Sequence, residues 1–300
     1  VTAADVSGLT PPEARVLEPT APKANAVRRF LAIPAGLAGT IGLLLILAIS
    51  LIGPALAPYN PAANVAEPAL GPSAAHWLGT DQLGRDVWSR LLCGGLSVIV
   101  LPLIAVSGAL LIGCAAGLLS GYLGGWTDRI VTRAVDVVLA LPPFLLVLVI
   151  IAGFGTGEAV IVVAVAAVYA PSITRVIRSA TQVIRPREFV LVARARGDSL
   201  GWITLREIAP NIVPTLLVEV ALRLTFAVMF IASLSFLGLG VQPPSPNWGV
   251  MVAENRDLLF AYPLPVLVPA AAIAILAISV NLIADALTIF FGGGRQGQMR

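Results

Sequence analysis

The chain of 300 residues is 58% hydrophobic and 12% charged, with a formal net charge of +3. Its runs of about 20 apolar residues match the hydrocarbon thickness of a bilayer divided by the helical rise. These runs are continuously apolar and do not alternate at every second residue, which excludes a transmembrane β-barrel and leaves an all-α polytopic membrane protein.

In chain order, residues 1–29 are rich in Pro, Ala and Glu without an apolar run, so they read as a disordered cytoplasmic tail and not as a signal peptide. A transmembrane domain over 30–291 follows, with six spans expected at 30–52, 97–120, 132–153, 157–174, 211–237 and 264–290. Pro142 and Pro143 lie inside the third span and predict a bend there. Pro171 and Arg175 shorten the fourth, which makes it the weakest of the six. A short tail, 292–300, closes the chain.

Topology follows from the distribution of Lys and Arg. Of the 19 such residues, 15 fall on one side of the expected spans, only Arg85, Arg90 and Arg256 on the other, and Arg223 within the fifth. Both termini and the loop 175–209 are therefore expected in the cytoplasm, and the loops 53–96 and 241–263 outside. The loop 175–209 carries seven arginines between Arg175 and Arg206. It reads as a short helix, a break at Gly197, a second short helix, and a new span starting at Pro210.

Charges inside the spans mark further candidates. Glu219 and Arg223, four residues apart, share a helical face and either line a translocation path or form a structural ion pair. Asp136 and Asp285 sit near cytoplasmic span ends, where Arg129, Arg133 and Arg295 are the expected partners. Cys93 and Cys114 lack metal or redox spacing and read as buried free thiols. Lys23 is the only lysine, so there is no Gly-rich phosphate loop ending in Lys, and His76 is the only histidine, so no multi-histidine metal site exists.

Four segments resemble one family, the C-type permease subunits of the dipeptide, oligopeptide and nickel branch of the binding-protein-dependent ATP-binding-cassette importers. The outer loop has "HWLGTDQLGRDVWSRLL" (His76 to Leu92), whose Gly79, Thr80, Asp81, Gly84, Arg85 and Asp86 match the family signature. "GLLSGYLGGWTDRIVTRAVDVVLALPPFLL" (Gly117 to Leu146) and "SLSFLGLGVQPPSPNWGVM" (Ser233 to Met251) are similar to two more conserved stretches. The fourth is the arginine-rich loop, in which Ala193, Gly197 and Pro210 match the ATPase-coupling motif, while its glutamate and first alanine are replaced by Leu191 and Val192.

The resemblance implies the type I importer permease fold, similar to that of the methionine importer's permease, in a multi-pass protein of the bacterial plasma membrane. Coupling would run through Phe189, Ala193, Arg194, Gly197, Asp198 and Pro210, with Phe189, Ala193 and Gly197 on one face of a docking helix spanning 187–208. Implied partners are a second homologous permease, two nucleotide-binding domains that hold ATP and Mg, and an extracytoplasmic binding protein, with no nucleic acid and no cofactor on this chain. Asp81, Arg85 and Asp86 are expected to fold the outer loop and hold it against a partner permease or the binding protein, and "PPSPNW" (Pro243 to Trp248) to form a rigid turn. Ser233, Gly238 and Gly240 suit close helix packing at an interface or gate. The implied function is import of dipeptides or short oligopeptides, not enzymatic chemistry. Nickel or another small solute is the alternative cargo, and an ion-coupled secondary transporter or a scaffold subunit the alternative class; the two halves show no inverted repeat.

Overall fold

The computed structural model describes residues 26–296, with side chains from 26 to 291. The tail expected over 1–29 lies outside the described residues except at its end, where Ala26–Leu31 forms the short helix α1. The last residues of the expected 292–300 tail lie outside them as well.

The remaining helices are α2 (Pro34–Leu56), α3 (Val87–Leu123), α4 (Gly125–Leu139), α5 (Pro143–Phe154), α6 (Glu158–Ile184), α7 (Glu188–Ala195), α8 (Leu200–Trp202), α9 (Ala209–Phe236), α10 (Trp248–Asn255) and α11 (Leu264–Gln296). A π-helical stretch, Ile203–Ile208, fuses α8 to α9, so that Leu200–Phe236 is one helix of 37 residues. Apart from an isolated bridge between Thr80 and Asp86, no β-structure occurs among the described residues.

Among the described residues, five helices are long and apolar enough to cross a membrane, and a sixth crossing arises if the bent pair α4–α5 counts as one. The bend expected at Pro142 and Pro143 is present as an 87° turn between two separate helices. Proline at the start of α5 supplies no amide to the last carbonyls of α4, and α5 begins afresh with Pro143 in its first turn.

Three boundaries differ from the sequence expectation. α3 starts at Val87, so the outer loop shrinks from 53–96 to the segment between α2 and α3. The fourth span is not short: α6 continues through Pro171 and Arg175 to Ile184, because Pro171 is packed within a buried face and Arg175 meets Asp136 at 2.8 Å. Consequently the loop 175–209 reduces to the α7 hairpin and its junction with α8.

The tightest packing joins α3 to α6. Gly113, Gly117 and Gly121 recur every fourth residue, and a Cβ on each would lie 2.7–2.8 Å from Ile173, Ile177 and Thr181 respectively. Such small-residue stripes let backbones approach within a membrane, where dispersion and not the hydrophobic effect drives helix association. The partner numbers rise together along both helices, so α3 and α6 run parallel and end at the same face. The chain must therefore cross back between them, and the α4–α5 pair makes that return.

Two apolar cores result. One joins α3, α5, α6 and α9 to the α7 hairpin through Val190, Ala193, Ile203 and Ile208. The other lies beneath the outer loop and joins α2, α3, α10 and α11 around Trp248, Met251, Val87, Leu91 and Ile46. α2 fits against α11 because a Cβ on Gly39 would meet the Ser279 carbonyl at 2.7 Å.

Candidate functional site

Two charged assemblies occupy opposite ends of α3. At its start, Asp86 caps the helix, with one carboxylate oxygen accepting from the Ser89 amide at 2.8 Å and the Ser89 hydroxyl at 2.7 Å. Its other oxygen lies 2.9 Å from Nδ1 of His76. Asp81 folds the loop on itself: Oδ1 accepts from the amides of Leu83 and Arg85, both at 2.9 Å, while Oδ2 accepts from Arg85 Nε at 2.7 Å and Arg90 Nη1 at 2.9 Å. Glu254 on α10 receives the second nitrogen of each guanidinium, at 2.6 Å from Arg85 and 2.9 Å from Arg90.

Two arginines and two carboxylates thus form a closed, charge-balanced cluster, with Arg90 fully buried. Burial pushes the Glu254 carboxyl above the ordinary carboxylate range, and Arg85 works against that shift. The same helices are stitched by Trp248, whose indole N–H donates to the Leu91 carbonyl at 2.8 Å, and by the Gln82 amide, which donates to Asn255 at 3.0 Å. Thr80 donates to the Glu67 carbonyl at 2.7 Å. Gly79 and Gly84 turn the loop with φ of 74° each, and a Cβ on Gly84 would lie 2.1 Å from the Ala66 carbonyl oxygen.

The six signature residues are therefore brought together, and they hold the loop to this chain's own α10. Their charges are consumed internally. Sequence reasoning missed Arg90, Glu254, Asn255 and Trp248, whose partners lie more than 150 positions away. The legible signal was that two of the three arginines of the outer side fall in the same signature.

At the other end of α3, α7 and α8 form a projecting knob. Glu188 in the first turn suits the positive end of the α7 dipole. α7 ends where the Asp198 amide donates to the Ala193 carbonyl and the Gly197 amide to that of Arg194, with Gly197 left-handed at φ 81°. Ser199 then caps α8 through the Trp202 amide at 3.3 Å. Arg196 bridges the two arms, 2.6 Å from Asp198 and 3.7 Å from Glu207, and the hydrogen bond to Asp198 raises its pKa further.

The expected face of Phe189, Ala193 and Gly197 does not exist as one surface. Ala193 is 0% exposed because it lies three residues from the equally inward Val190, and Gly197 is the cap beyond the helix. The open side carries Leu191, Val192, Trp202 and Leu205 instead, with Phe189 at its edge. The second short helix is also not separate. The Ala209 amide donates to Thr204, five residues back, and Pro210, which has no amide, sits where that longer repeat returns to ordinary helix.

The knob rests on the body of the protein through cation–π contact: the Arg194 guanidinium stands 5.3 Å over the ring of Tyr122, near the end of α3. Arg206 covers Trp202 at 4.6 Å. Beside it, Arg178 pairs with Asp128 and Arg175 with Asp136, so Asp136 engages α6 and not the arginines of its own helix as expected.

Within α9, Glu219 and Arg223 pair at 2.6 Å, and the guanidinium lies 5.9 Å from the ring of Tyr169 on α6. Asp285 is exposed on α11, while the Arg295 side chain expected to pair with it lies outside those described. Gly238 ends α9 with φ 75°, Gly240 packs onto Ser235 of the same chain, and Ser233 lies on the open side of α9. Asn247 caps α10 through the Gly249 amide. Cys93 and Cys114 are free and half-buried. Among the described residues no group of three or more His, Cys, Asp or Glu side chains is arranged to hold a metal ion.

Residues 109–291 match the family model of the binding-protein-dependent transport system inner membrane component, and residues 22–72 that of the N-terminal TM domain of oligopeptide transport permease C. The chain is 38% identical over 262 residues to the glutathione transport system permease protein GsiD of Pectobacterium atrosepticum, covering 87% of each chain. It is 36% identical to the dipeptide transport system permease protein DppC of Alkalihalophilus pseudofirmus, covering 82% of this chain and 83% of that one. Its fold is similar to a chain of the MetNI methionine ABC transporter in an inward-facing conformation, with a TM-score of 0.52, 18% identity, and coverage of 66% of this chain and 96% of that one. These findings do not favour an ion-coupled secondary transporter or a scaffold. The chain belongs to the family of binding-protein-dependent transport system inner membrane components, as a multi-pass permease subunit of an ATP-binding-cassette importer in the bacterial plasma membrane.

Proposed function

We propose that this permease carries dipeptides or short oligopeptides into the cytoplasm, driven by ATP hydrolysis on separate nucleotide-binding domains that dock on the knob at 187–208. The observation that carries the docking is the knob itself. Its inner residues Val190, Ala193, Ile203 and Ile208 are buried in the protein's own core, while Leu191, Val192, Trp202 and Leu205 remain uncovered among arginines. A helix of eight residues is too short to persist unsupported. Backed by the core, it presents a firm apolar and basic surface to a groove on another protein.

In this reading the knob, both termini and the arginine-rich end of the molecule face the cytoplasm, in keeping with the distribution of Lys and Arg. A second homologous permease completes the pathway, two nucleotide-binding domains hold ATP and magnesium, and an extracytoplasmic binding protein delivers cargo to the side of the outer loop. Relatives named for glutathione and dipeptide transport favour a short peptide over nickel. Glu219 and Arg223 act as a structural ion pair within α9, which the Arg223 guanidinium ties to α6 through the ring of Tyr169.

The test is reconstitution of the assembled importer with its binding protein and measurement of peptide-stimulated ATP hydrolysis and uptake. Gly197→Trp, which places a bulky side chain at the left-handed turn of the knob, is expected to abolish the coupling of hydrolysis to uptake. Unchanged coupling would refute the docking assignment, and stimulation by nickel complexes but not by peptides would refute the cargo.

A further inference from the structure

Beside the clamp, the outer loop walls a cavity of about 480 Å³ that neither the clamp nor the knob uses. It lies between Leu56, the last residue of α2, and Trp88 in the first turn of α3, with Tyr59, Trp77 and Asp86 as its other principal walls. Small-molecule sites measure roughly 300–1,000 Å³, and this cavity falls within that range. Its lining is three aromatic rings and one carboxylate among small apolar residues.

Contacts within the chain hold that lining in place. The Tyr59 ring packs on the His76 imidazole with centroids 5.0 Å apart, and Trp77 lies against Trp88 at 5.7 Å. The Tyr59 amide donates to the Ser89 hydroxyl and the Tyr59 hydroxyl to the Ala75 carbonyl, both at 3.1 Å. Charge then selects the occupant. The clamp sets Arg85 and Arg90 against Asp81 and Glu254, and Asp86 stands outside that balance. Among the described residues no arginine or lysine forms an ion pair with Asp86, whose contacts are His76 and the amide and hydroxyl of Ser89. The α3 dipole supplies only about half a positive charge at that end. A carboxylate 1% exposed beside aromatic rings, whose faces are negative, favours a cation in the cavity. A divalent metal ion would need about six oxygen ligands, and the described residues offer no group of three or more acidic or other metal-binding side chains. An organic ammonium fits, because its alkyl groups meet the apolar and aromatic walls while its charge meets Asp86.

We propose that this cavity binds a small organic ammonium group, with Tyr59, Trp77 and Trp88 around the cation and Asp86 as its counter-charge. The occupant touches the end of α2 and the start of α3, so its binding fastens the two helices together at the outer loop. The site lies at the far end of α3 from the knob and is independent of both the docking and the cargo.

The experiment uses the complete importer with its partner subunits in phosphatidylglycerol nanodiscs, titrated with tetramethylammonium and with choline at constant ionic strength. Sodium chloride and the uncharged alcohol in which carbon replaces the choline nitrogen are the controls. Tryptophan emission should change saturably with either ammonium ion, and Tm should rise with its concentration, as for any ligand of the folded state. Trp77 is 65% exposed, so Trp77→Leu gives up chiefly its contact with Trp88. This variant is expected to weaken binding, read from the rise in Tm, by about two- to thirtyfold, and Trp77→Phe to retain most of it. Asp86→Asn, which still caps α3, should weaken ammonium binding as well. Repeating the titration in phosphatidylethanolamine nanodiscs identifies the source: competition by the headgroup assigns the site to a lipid amine, and unaltered binding to a soluble ion. No saturable response, as when another subunit fills the cavity, overturns the proposal. So does an equal response to sodium or to the uncharged alcohol, or a Trp77→Leu variant that binds as the parent does. No readout involves ATP hydrolysis, so failure here leaves the docking reading untouched.

Discussion

The clamp at the start of α3 and the knob at its end use the same materials, arginine, carboxylate and a glycine with positive φ, to opposite effect. In the clamp each guanidinium and carboxylate finds its partner within the chain, and the side chains of Asp81, Arg85 and Arg90 are almost wholly buried. In the knob the charges lie at the rim, Arg196 more than half exposed, and an apolar surface is left without cover. Sequence motifs of equal prominence thus divide into one that completes the fold and one that offers itself outward. What separates them is where the partners lie, not which residue types they contain.

The largest effect is expected where the balance of buried charge is broken. Asp81→Ala removes the carboxylate that accepts from Arg85, from Arg90 and from two loop amides, and leaves two guanidiniums facing Glu254 alone. Breaking a buried pair of this kind costs about 3–5 kcal/mol. Thermal unfolding of the assembled protein in detergent should show a large fall in Tm. A small fall would mean that water enters the cluster and that clamp and knob are less different than they look.

The two left-handed glycines sharpen the contrast at equal backbone geometry. Gly84 and Gly197 have φ of 74° and 81°, but a Cβ on Gly84 would lie 2.1 Å from a backbone carbonyl oxygen, whereas nothing stands within 4 Å of one on Gly197. Gly197→Ala should therefore cost only the left-handed penalty, about 1–2 kcal/mol, felt mostly in the knob. Gly84→Ala adds a steric clash with backbone and should cost more than Gly197→Ala in the same unfolding measurement. Equal losses would show that the outer loop yields to the intruding methyl.

Trp248→Phe is expected to cost about 1–3 kcal/mol, because the ring is retained while the Leu91 carbonyl inside α3 loses its indole donor. Hydrogen exchange should then rise at α10 and at the start of α3, and not at the knob.

The membrane class, the number of apolar runs and the bend before Pro143 were legible because hydropathy and proline act locally. So was the break at Gly197, since few other residues adopt that backbone. The persistence of α6 through Pro171 was not legible. Its continuity comes from packing against Gly113, Gly117 and Gly121, and that stripe acquires meaning only once its partner is known. The partners of Arg90 and Asp136 were hidden for the same reason, as contacts across folded distance leave no spacing rule in the chain. The inward turn of Ala193 could have been foreseen, because Val190 three residues earlier marks the buried side of so short a helix.

The smallest effect on stability should accompany the largest effect on coupling. Trp202 and Leu205 lie on the open side of the knob, and Leu205 is 66% exposed. Trp202→Ser with Leu205→Ser therefore gives up little beyond the stacking of Arg206 on Trp202, and Tm should fall only slightly. The clamp would remain intact, and so would the support of α7 on Tyr122 through Arg194. If the open face seats a nucleotide-binding domain, the same double variant should lose peptide-stimulated ATP hydrolysis and release that domain during purification. A variant with so small a fall in Tm that still hydrolyses ATP in response to peptide would show that the uncovered face of the knob seats no motor, and that knob and clamp differ in exposure but not in purpose.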